Sequence, residues 1–302
     1  MLCFVVSAGL PQNGRKEASA WGAVARMIRQ RLQSAQARCR HAAAARWEPC
    51  AEIGARDFER QDHAALFDAQ RPLIVREFAC KWPAVSRWAD LDALAARAAA
   101  HQDQDAALGR TAPLLVPVEV GHSYADGGVE KVQADFQELL RFVKRYWLAP
   151  PPSGTPNVYL AQTRLADVHP ALAEDLGEPA LVHECGRGDD YGCNLWLGHA
   201  GTRSDCHWDP YHNWMVAIVG TKQVVLFSPQ QAPLLYARSG LERNTSAVDV
   251  GAPDEARFPR FREARGCHAT LADGDALFIP KKWWHYCENA PSGCIAVNFW
   301  WL

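Results

Sequence analysis

From about residue 190 onward the chain is written in short apolar or alternating runs, at 193–197, 213–219, 223–227, 276–279 and 294–301. Gly220-Thr221, Ser228-Pro229 and Asp273-Gly274-Asp275 punctuate them. Runs of this length separated by turn formers predict many short strands, folded as a sandwich or a barrel. Seven of the twelve tryptophans lie after residue 195, so this β region makes heavy use of large rings.

The first half has a different texture. Apolar spacing predicts helices over 57–69, 89–101 and Phe136–Trp147, the last stopped by the Pro/Ser/Gly stretch at 150–154. Strands are predicted at Pro72–Arg76, Leu114–Val120 and Asn157–Ala161. Pro117 cannot donate to a ladder, which predicts an edge or barrel-rim position for its strand. No internal repeat or linker divides the chain after residue 46. We therefore read 47–302 as one domain, with helices and strands over 47–156 and the β core over 157–302.

Composition narrows the function classes. At 48% hydrophobic and 22% charged residues, the 302-residue chain is neither disordered, fibrous nor a bundle of membrane spans. A net charge of −2 gives no global basic field for nucleic acid. The ten cysteines are scattered without a C-x-x-C pair, unlike a zinc ribbon or a secreted disulfide scaffold. Free thiols in a reducing compartment follow, hence an intracellular protein of nucleus or cytoplasm. Residues 1–46 form a basic extension, helical or disordered: Arg15 to Arg46 holds eight Arg/Lys and one acid, Glu17. A solvated flanking segment is its plainest reading, with a mitochondrial transit peptide or an anionic-surface contact as alternatives.

The densest chemistry is Ser204-Asp-Cys-His207-Trp208-Asp209-Pro210. On a strand, i and i+2 share a face, so His207 and Asp209 point together while Trp208 turns away. An imidazole beside a carboxylate makes two-thirds of a 2-His-1-carboxylate iron(II) set, and His285, 76 residues beyond Asp209, is the candidate third ligand. His212 also lies nearby, but its parity sets it opposite Asp209. Asn213 and Lys222 follow on strands. A lysine pointing into a barrel needs an anion, because an unpaired buried charge is too costly. Taken one by one, a His-x-Asp, a lone histidine or a strand-end lysine usually has a bland surface or packing role. Of the pairs Trp283-Trp284 and Trp300-Trp301, one ring each can line a pocket while its neighbour packs in the core.

Taken together, His207–Pro229 and Gly274–Trp301 resemble the JmjC group of iron(II)- and 2-oxoglutarate-dependent oxygenases. The resemblance runs from about residue 47 to the C-terminus. It includes Arg71-Pro-Leu-Ile-Val75, Trp82-Pro83, Val116–Gly121, Tyr159-Leu-Ala-Gln162, Asn244–Asp249, Phe258-Pro-Arg-Phe261 and Phe299-Trp-Trp301. Within the group it is most similar to short proteins described both as protein-arginyl hydroxylases and as lysine demethylases. The resemblance implies a mainly β fold with flanking helices, a double-stranded β-helix (jelly roll, cupin) behind a helical N-terminal part. It implies that His207, Asp209 and His285 hold Fe(II), and that Lys222, with Asn213, Tyr159 and Ser204, binds 2-oxoglutarate, with O2 as oxidant. Glu119, Tyr124 and Trp196 match substrate-pocket positions. A glutamate can clamp a guanidinium and aromatic faces accept cations. Tyr211-His212 departs from the glutamine-like residues usual there, and residues 1–46 match nothing in the group.

The expected function is hydroxylation of a protein side chain, arginine first, with a protein or peptide as partner, no membrane, and nucleic acid only through the basic N-terminus. Histone N-methyl-lysine demethylation and tRNA-base hydroxylation are the alternatives within this chemistry. A ring of aromatics in place of a carboxylate clamp would favour the former, and RNA retention by the basic segment the latter. A metal-binding cupin without turnover and a metal-dependent isomerase are the rivals outside it. The first has no need of all four of His207, Asp209, His285 and Lys222, the second no use for the lysine.

Overall fold

The structure, a computed structural model, describes residues 46–97, 113–121, 128–168, 170–177 and 190–302. The basic segment up to residue 45 and Tyr124 lie outside the described residues. No helix among the described residues is long and apolar enough to cross a membrane.

The strands are β1 (Glu48–Pro49), β2 (Ala51–Gly54), β3 (Leu73–Arg76), β4 (Leu115–Gly121), β5 (Val129–Asp135) and β6 (Asn157–Arg164). They continue with β7 (Asp190–Gly198), β8 (Arg203–His207), β9 (His212–Phe227), β10 (Gly266–Leu271), β11 (Ala276–Ile279) and β12 (Trp284–Trp301). Two of them organise the rest. β9 and β12 pair antiparallel from Trp284↔Phe227 to Trp301↔His212. The first part of β9 takes β11 as its second neighbour and the last part takes β10. β12 likewise pairs with β8 early and with β7 late. One sheet therefore runs β2-β3-β11-β9-β12-β7-β6-β4-β5, the other β1-β10-β9-β12-β8, sharing their two longest strands. This is the double-stranded β-helix.

The runs 213–219 and 223–227 are thus one strand with a bend, not two strands. Gly220 makes the bend at φ +93°. A Cβ there would lie 2.0 Å from the Gly293 carbonyl oxygen, so only glycine permits the close approach. Its N–H donates to Asp273 Oδ1 at 2.7 Å, and the β12 register shifts at the same level, between Asn289 and Cys294.

Alternation then sorts the core. Trp214, Val216 and Ile218 face outward and pack with Phe278, Phe299 and Trp301 against Phe58, Trp82, Trp88, Phe136 and Leu140. Met215 and Ala217 face inward, with Val224, Leu226, Leu277, Ile279, Cys287 and Ala296, into the space between the sheets. On the far face of the second sheet, Phe227, Trp284 and Tyr286 pack against Leu235, Val248 and Phe261 from the β9–β10 connection, and against Trp47.

The helical segments cover the first sheet. In Phe136–Arg145, Phe136, Leu139, Leu140 and Val143 form the buried stripe, and Asp135 caps the start by accepting from Glu138 N–H. The helix expected over 57–69 is two short ones, Ala55–Phe58 and His63–Asp68, because Asp62 caps a fresh start by accepting from Ala65 N–H. The stretch 91–97 is helical. β4 is not an edge strand: it lies between β5 and β6. Pro117 is tolerated because β6 pairs with β4 only from Glu119 on.

We expect Gly220→Ala to lower unfolding free energy by roughly 2 kcal/mol or more, from backbone strain and the clash together. Urea denaturation at neutral pH measures it, and an unchanged midpoint would contradict the role given to the bend.

Candidate metal centre

His207 closes β8 and stands directly opposite His285 of β12. The ring centroids are 4.4 Å apart. Asp209 lies two residues past the end of β8, so strand parity does not place it. The loop does: Lys282 N–H donates to the Asp209 carbonyl at 2.8 Å, and Trp208 N–H to the Asn244 carbonyl at 2.9 Å. Trp208 packs into the outer core, so it still turns away from its neighbours. His207 Nε2 lies 3.9 Å from Asp209 Oδ1, and His285 Nε2 3.6 Å from Asp209 Oδ2. The three donor atoms lie within 4.8 Å of one another.

The other ring nitrogens settle the tautomers. His207 Nδ1 meets the Asp205 carbonyl at 2.7 Å and His285 Nδ1 the Trp283 carbonyl at 3.0 Å. A carbonyl only accepts, so each Nδ1 carries the proton and each Nε2 presents a bare lone pair. Burial and the neighbouring His207 push the His285 pKa down to about 4, against the pull of Asp209, so this imidazole is neutral at physiological pH. Two imidazole lone pairs and one carboxylate converging on one point are a donor set for a divalent transition metal, with positions left open on it.

Lys222 is buried on β9, on the inward face that His285 shares. The register sets His285 opposite Leu226 and Asn289 opposite Lys222, so four residues of β9, about 13 Å of strand, separate the two rows. Its Nζ donates to Asn289 Oδ1 at 2.9 Å, and Tyr159 Oη lies at 3.5 Å. Burial works against the ammonium, but Tyr159 with the Cys294 and Cys287 thiols holds its pKa above the usual lysine value. Those neighbours are themselves uncharged near neutrality: burial pushes Tyr159 and Cys294 up to about 12 and Cys287 to about 11. Among the described residues Lys222 forms no ion pair. The ammonium is held by neutral partners, which leaves it a demand for an anion.

A cleft of about 340 Å³ opens over His207 and Asp209, lined also by Glu119, Trp196, Ser204 and Asp205 together with Arg238, Glu242, Asn244 and Thr245. Lys222, Tyr159 and Asn213 lie deeper, beyond Trp196, whose ring centroid is 5.8 Å from that of Tyr159. Trp196 Nε1 donates to Asn298 Oδ1 at 2.8 Å, and Asn298 Nδ2 to Asn213 Oδ1 at 3.1 Å. Glu119 sits opposite Tyr159 across β4 and β6, its side chain largely covered and 3.4 Å from the exposed Lys131 ammonium.

The fold thus gathers His207, Asp209, His285, Lys222, Asn213, Tyr159, Ser204, Glu119 and Trp196 around one interior. Three features run against the sequence reading or lie outside it. None of Trp283, Trp284, Trp300 and Trp301 lines the cleft: Trp284 and Trp301 are buried in cores, Trp300 stacks on Tyr211, and Trp283 donates to the Gln70 carbonyl. His212 is a core ring, stacked on Phe278 and Trp301 and accepting from Lys281 N–H. Asn289, Asn298 and the segment Arg238–Thr245 carry no local signal that marks them as site residues, although Asn244–Asp249 is one of the motifs of the resemblance.

The Cupin-like domain family matches residues 59–302. A lysine-specific demethylase 8 of Xenopus tropicalis is 37% identical over 192 residues, 62% of this chain and 41% of its own. A Jumonji C domain-containing protein 5 of Drosophila melanogaster is 32% identical over 191 residues, 62% and 46% of the two chains. A bovine HSPB1-associated protein 1 is 39% identical over 110 residues, 35% and 23% of the two chains. The chain spans less than half the length of these relatives.

His212 supplies a test of the core beneath the centre. Burial, then the nearby Lys281, depress its pKa to about 4, from about 6.5 in an unfolded chain. The unfolded state therefore binds the proton first, so stability is full above pH 6.5 and falls as pH drops towards 4. The shift is worth on the order of 3 kcal/mol. His199 and His285 are depressed too and act in the same direction. Urea titrations at a series of pH values should show His212→Phe losing less stability than wild type across that window. Parallel curves would assign the slope to other groups.

With its matched family region and shared-strand β-helix, the chain belongs to the cupin-like domain family, and its relatives include a protein named for a Jumonji C domain.

Proposed function

We propose that this protein is an iron(II)- and 2-oxoglutarate-dependent oxygenase that hydroxylates an arginine side chain of a protein or peptide. The observation that carries the reading is the pairing, on one interior face, of a His207/Asp209/His285 donor set with a buried Lys222 that has only neutral partners. His207, Asp209 and His285 would hold the iron. Lys222 would receive the distal carboxylate of 2-oxoglutarate, with Tyr159 beside it and Asn213 and Ser204 towards the metal end. With O2, iron and 2-oxoglutarate supply the oxidation, yielding succinate and CO2 and leaving one oxygen atom as hydroxyl on the substrate.

The chain's own residues do the rest. Asn289 Nδ2 donates to the carbonyls of Gly198 at 3.2 Å and His199 at 3.4 Å, which aims its oxygen at Lys222 and fixes the anchor. The Trp196–Asn298–Asn213 chain stiffens the wall between anchor and cleft. At the mouth, Glu119 is a largely covered carboxylate whose partner, Lys131, is exposed and rotamer-rich. A surface ion pair of that kind is weak, so an entering guanidinium can displace the ammonium and take both carboxylate oxygens.

The demethylase names of relatives suggest a methyl-lysine substrate instead, and the two readings place different groups at the mouth. A methyl-ammonium cage needs several rings, whereas Trp196 is the one aromatic ring among the described cleft residues. The carboxylate favours arginine.

Measurements at the anchor and at the mouth test this. Lys222→Met should raise the stability of the ligand-free protein by about 1 kcal/mol or more, since it removes a buried charge without an ionic partner. The same change should weaken 2-oxoglutarate binding at least ~100-fold by calorimetry with Mn(II) in place of iron. Unchanged affinity would refute the anchor. With arginine-bearing peptides, hydroxylated product and succinate should require iron and be lost in His207→Ala. Glu119→Gln should lower kcat/KM for those peptides roughly 10–100-fold while peptide-independent succinate formation stays unchanged. Turnover of methyl-lysine peptides, unaffected by Glu119→Gln, would select the demethylase reading.

A further inference from the structure

Away from the cleft, two cysteines meet. Cys50 Sγ donates to Cys267 Sγ at 2.7 Å, across 217 residues of chain. Backbone pairing puts them there. β1 lies parallel to β10 with Glu48 opposite Cys267 and Pro49 opposite His268, and Cys50 N–H then donates to the His268 carbonyl at 2.9 Å. His268 Nδ1 also meets the Trp47 carbonyl at 2.9 Å. The sulfurs are therefore held together by a ladder and not by chance rotamers. Cys50 is buried, and Cys267 is only half-buried, which leaves it a path to small solutes.

The place of the pair matters as much as its geometry. Cys50 is the one residue between β1, which belongs to the second sheet, and β2, which pairs with β3 of the first. A covalent link from Cys50 to β10 would staple the sandwich where its sheets part. Cys267 also shares a lateral row with the metal centre: Cys267 of β10 is opposite Leu226 of β9, Leu226 opposite His285 of β12, and His285 opposite His207 of β8. Neighbours in such a row point to the same side, and both thiols pack in the inward-facing cluster with Leu226.

We propose that Cys50 and Cys267 form a peroxide-reactive thiol site that closes reversibly to a disulfide joining β10 to the chain between the two sheets. The Cys267 thiolate attacks one oxygen of hydrogen peroxide. The O–O bond breaks, an S–O bond forms, and hydroxide leaves to become water on taking a proton. Cys50 then attacks the Cys267 sulfur. The S–S bond forms, the S–O bond breaks, and the departing hydroxide takes the Cys50 proton as water. Two thiols are oxidised by two electrons and one peroxide is reduced to two waters. The hydrogen bond from Cys50 lowers the Cys267 pKa while that of Cys50 is raised, which sets Cys267 as the attacking sulfur and Cys50 as the resolving one. A disulfide of about 2.05 Å needs only small side-chain rotations from the present contact.

The proposal is independent of the oxygenase reading, and its test uses the reduced full-length chain with a chelator present, so that no metal takes part. Hydrogen peroxide is added at low excess, remaining thiols are alkylated, and intact mass and non-reducing peptide maps are recorded. The expected result is loss of two hydrogens, a peptide pair linked through residues 50 and 267, reversal by a phosphine, and a Tm raised by roughly 5 °C. Cys50→Ser should instead accumulate a sulfenic acid at Cys267 that dimedone traps, and Cys267→Ser should form neither adduct nor link. Oxidation first at the exposed Cys80, or a linked pair that omits residue 50 or 267, would overturn the proposal. So would wild-type protein that keeps both thiols under these conditions, a result that needs no variant to fold.

Discussion

The antiparallel pairing of β9 with β12 is the constraint on which the rest of this molecule hangs. Each strand serves both sheets, so each must bend where the sheets part, and at that level β9 has Gly220 and β12 shifts register. Because the two strands stay in register on either side of the bend, the inward face of the second sheet becomes a ruler. His285 and Lys222 mark two of its rows, and the interval between them is set by main-chain hydrogen bonds and not by loops. A ladder resists displacement far better than a connection does, so the His285 row and the Lys222 row keep a fixed separation. Only Asp209 comes from a loop, and Lys282 and Asn244 tie that loop down through backbone hydrogen bonds.

That precision has an energetic cost, and its size indicates what the site is for. A hydrogen bond from a charged donor contributes about 1.5–3 kcal/mol net, whereas an ammonium taken out of water loses several. Asn289 and Tyr159 therefore cannot offset the burial of Lys222 by themselves. Under the proposed function, a carboxylate arriving there would recover the difference as binding energy. The asparagines 213, 289 and 298 show the same economy: each is buried, and each is spent on holding another side chain in place.

How much of this could be read in the sequence depended on whether one residue or many decide a feature. Strands β3, β4, β6 and β11 follow from local alternation and were legible nearly to the residue. His207, Asp209, His285 and Lys222 were legible because chemistry this specific leaves few substitutes, and because several flanking motifs matched one family. Strand parity does not set Asp209 beside His207, since β8 ends at His207 and the loop does the aiming. Nothing local could show that 213–219 and 223–227 are one strand, for that depends on Gly293 arriving opposite Gly220. Nor could it show that four tryptophans beside the third ligand all turn away from the cleft. Asn289 and Asn298 look like any strand asparagines until a partner more than 60 residues away is known.

The two ends of the interior are built differently, and this bears on what can vary. The deep end, with Lys222, Asn289 and Tyr159, is made from strands β6, β9 and β12, where a change of residue disturbs a ladder and a packed core. The mouth takes Glu119 from β4, one strand in from the sheet edge, and Arg238, Glu242, Asn244 and Thr245 from the long β9–β10 connection. Within that connection Leu235, Val248 and Phe261 are tied into a core, whereas Glu242 is exposed, and exposed loop positions tolerate substitution. The Lys222 end is thus tied to the fold, while exposed positions at the mouth are free to differ between chains sharing it. Under the proposed function, a chain so built would keep one oxidation and change its target by altering the mouth alone. On the same proposal, the carboxylate at that mouth, beside an exposed and replaceable lysine, would select a cationic side chain.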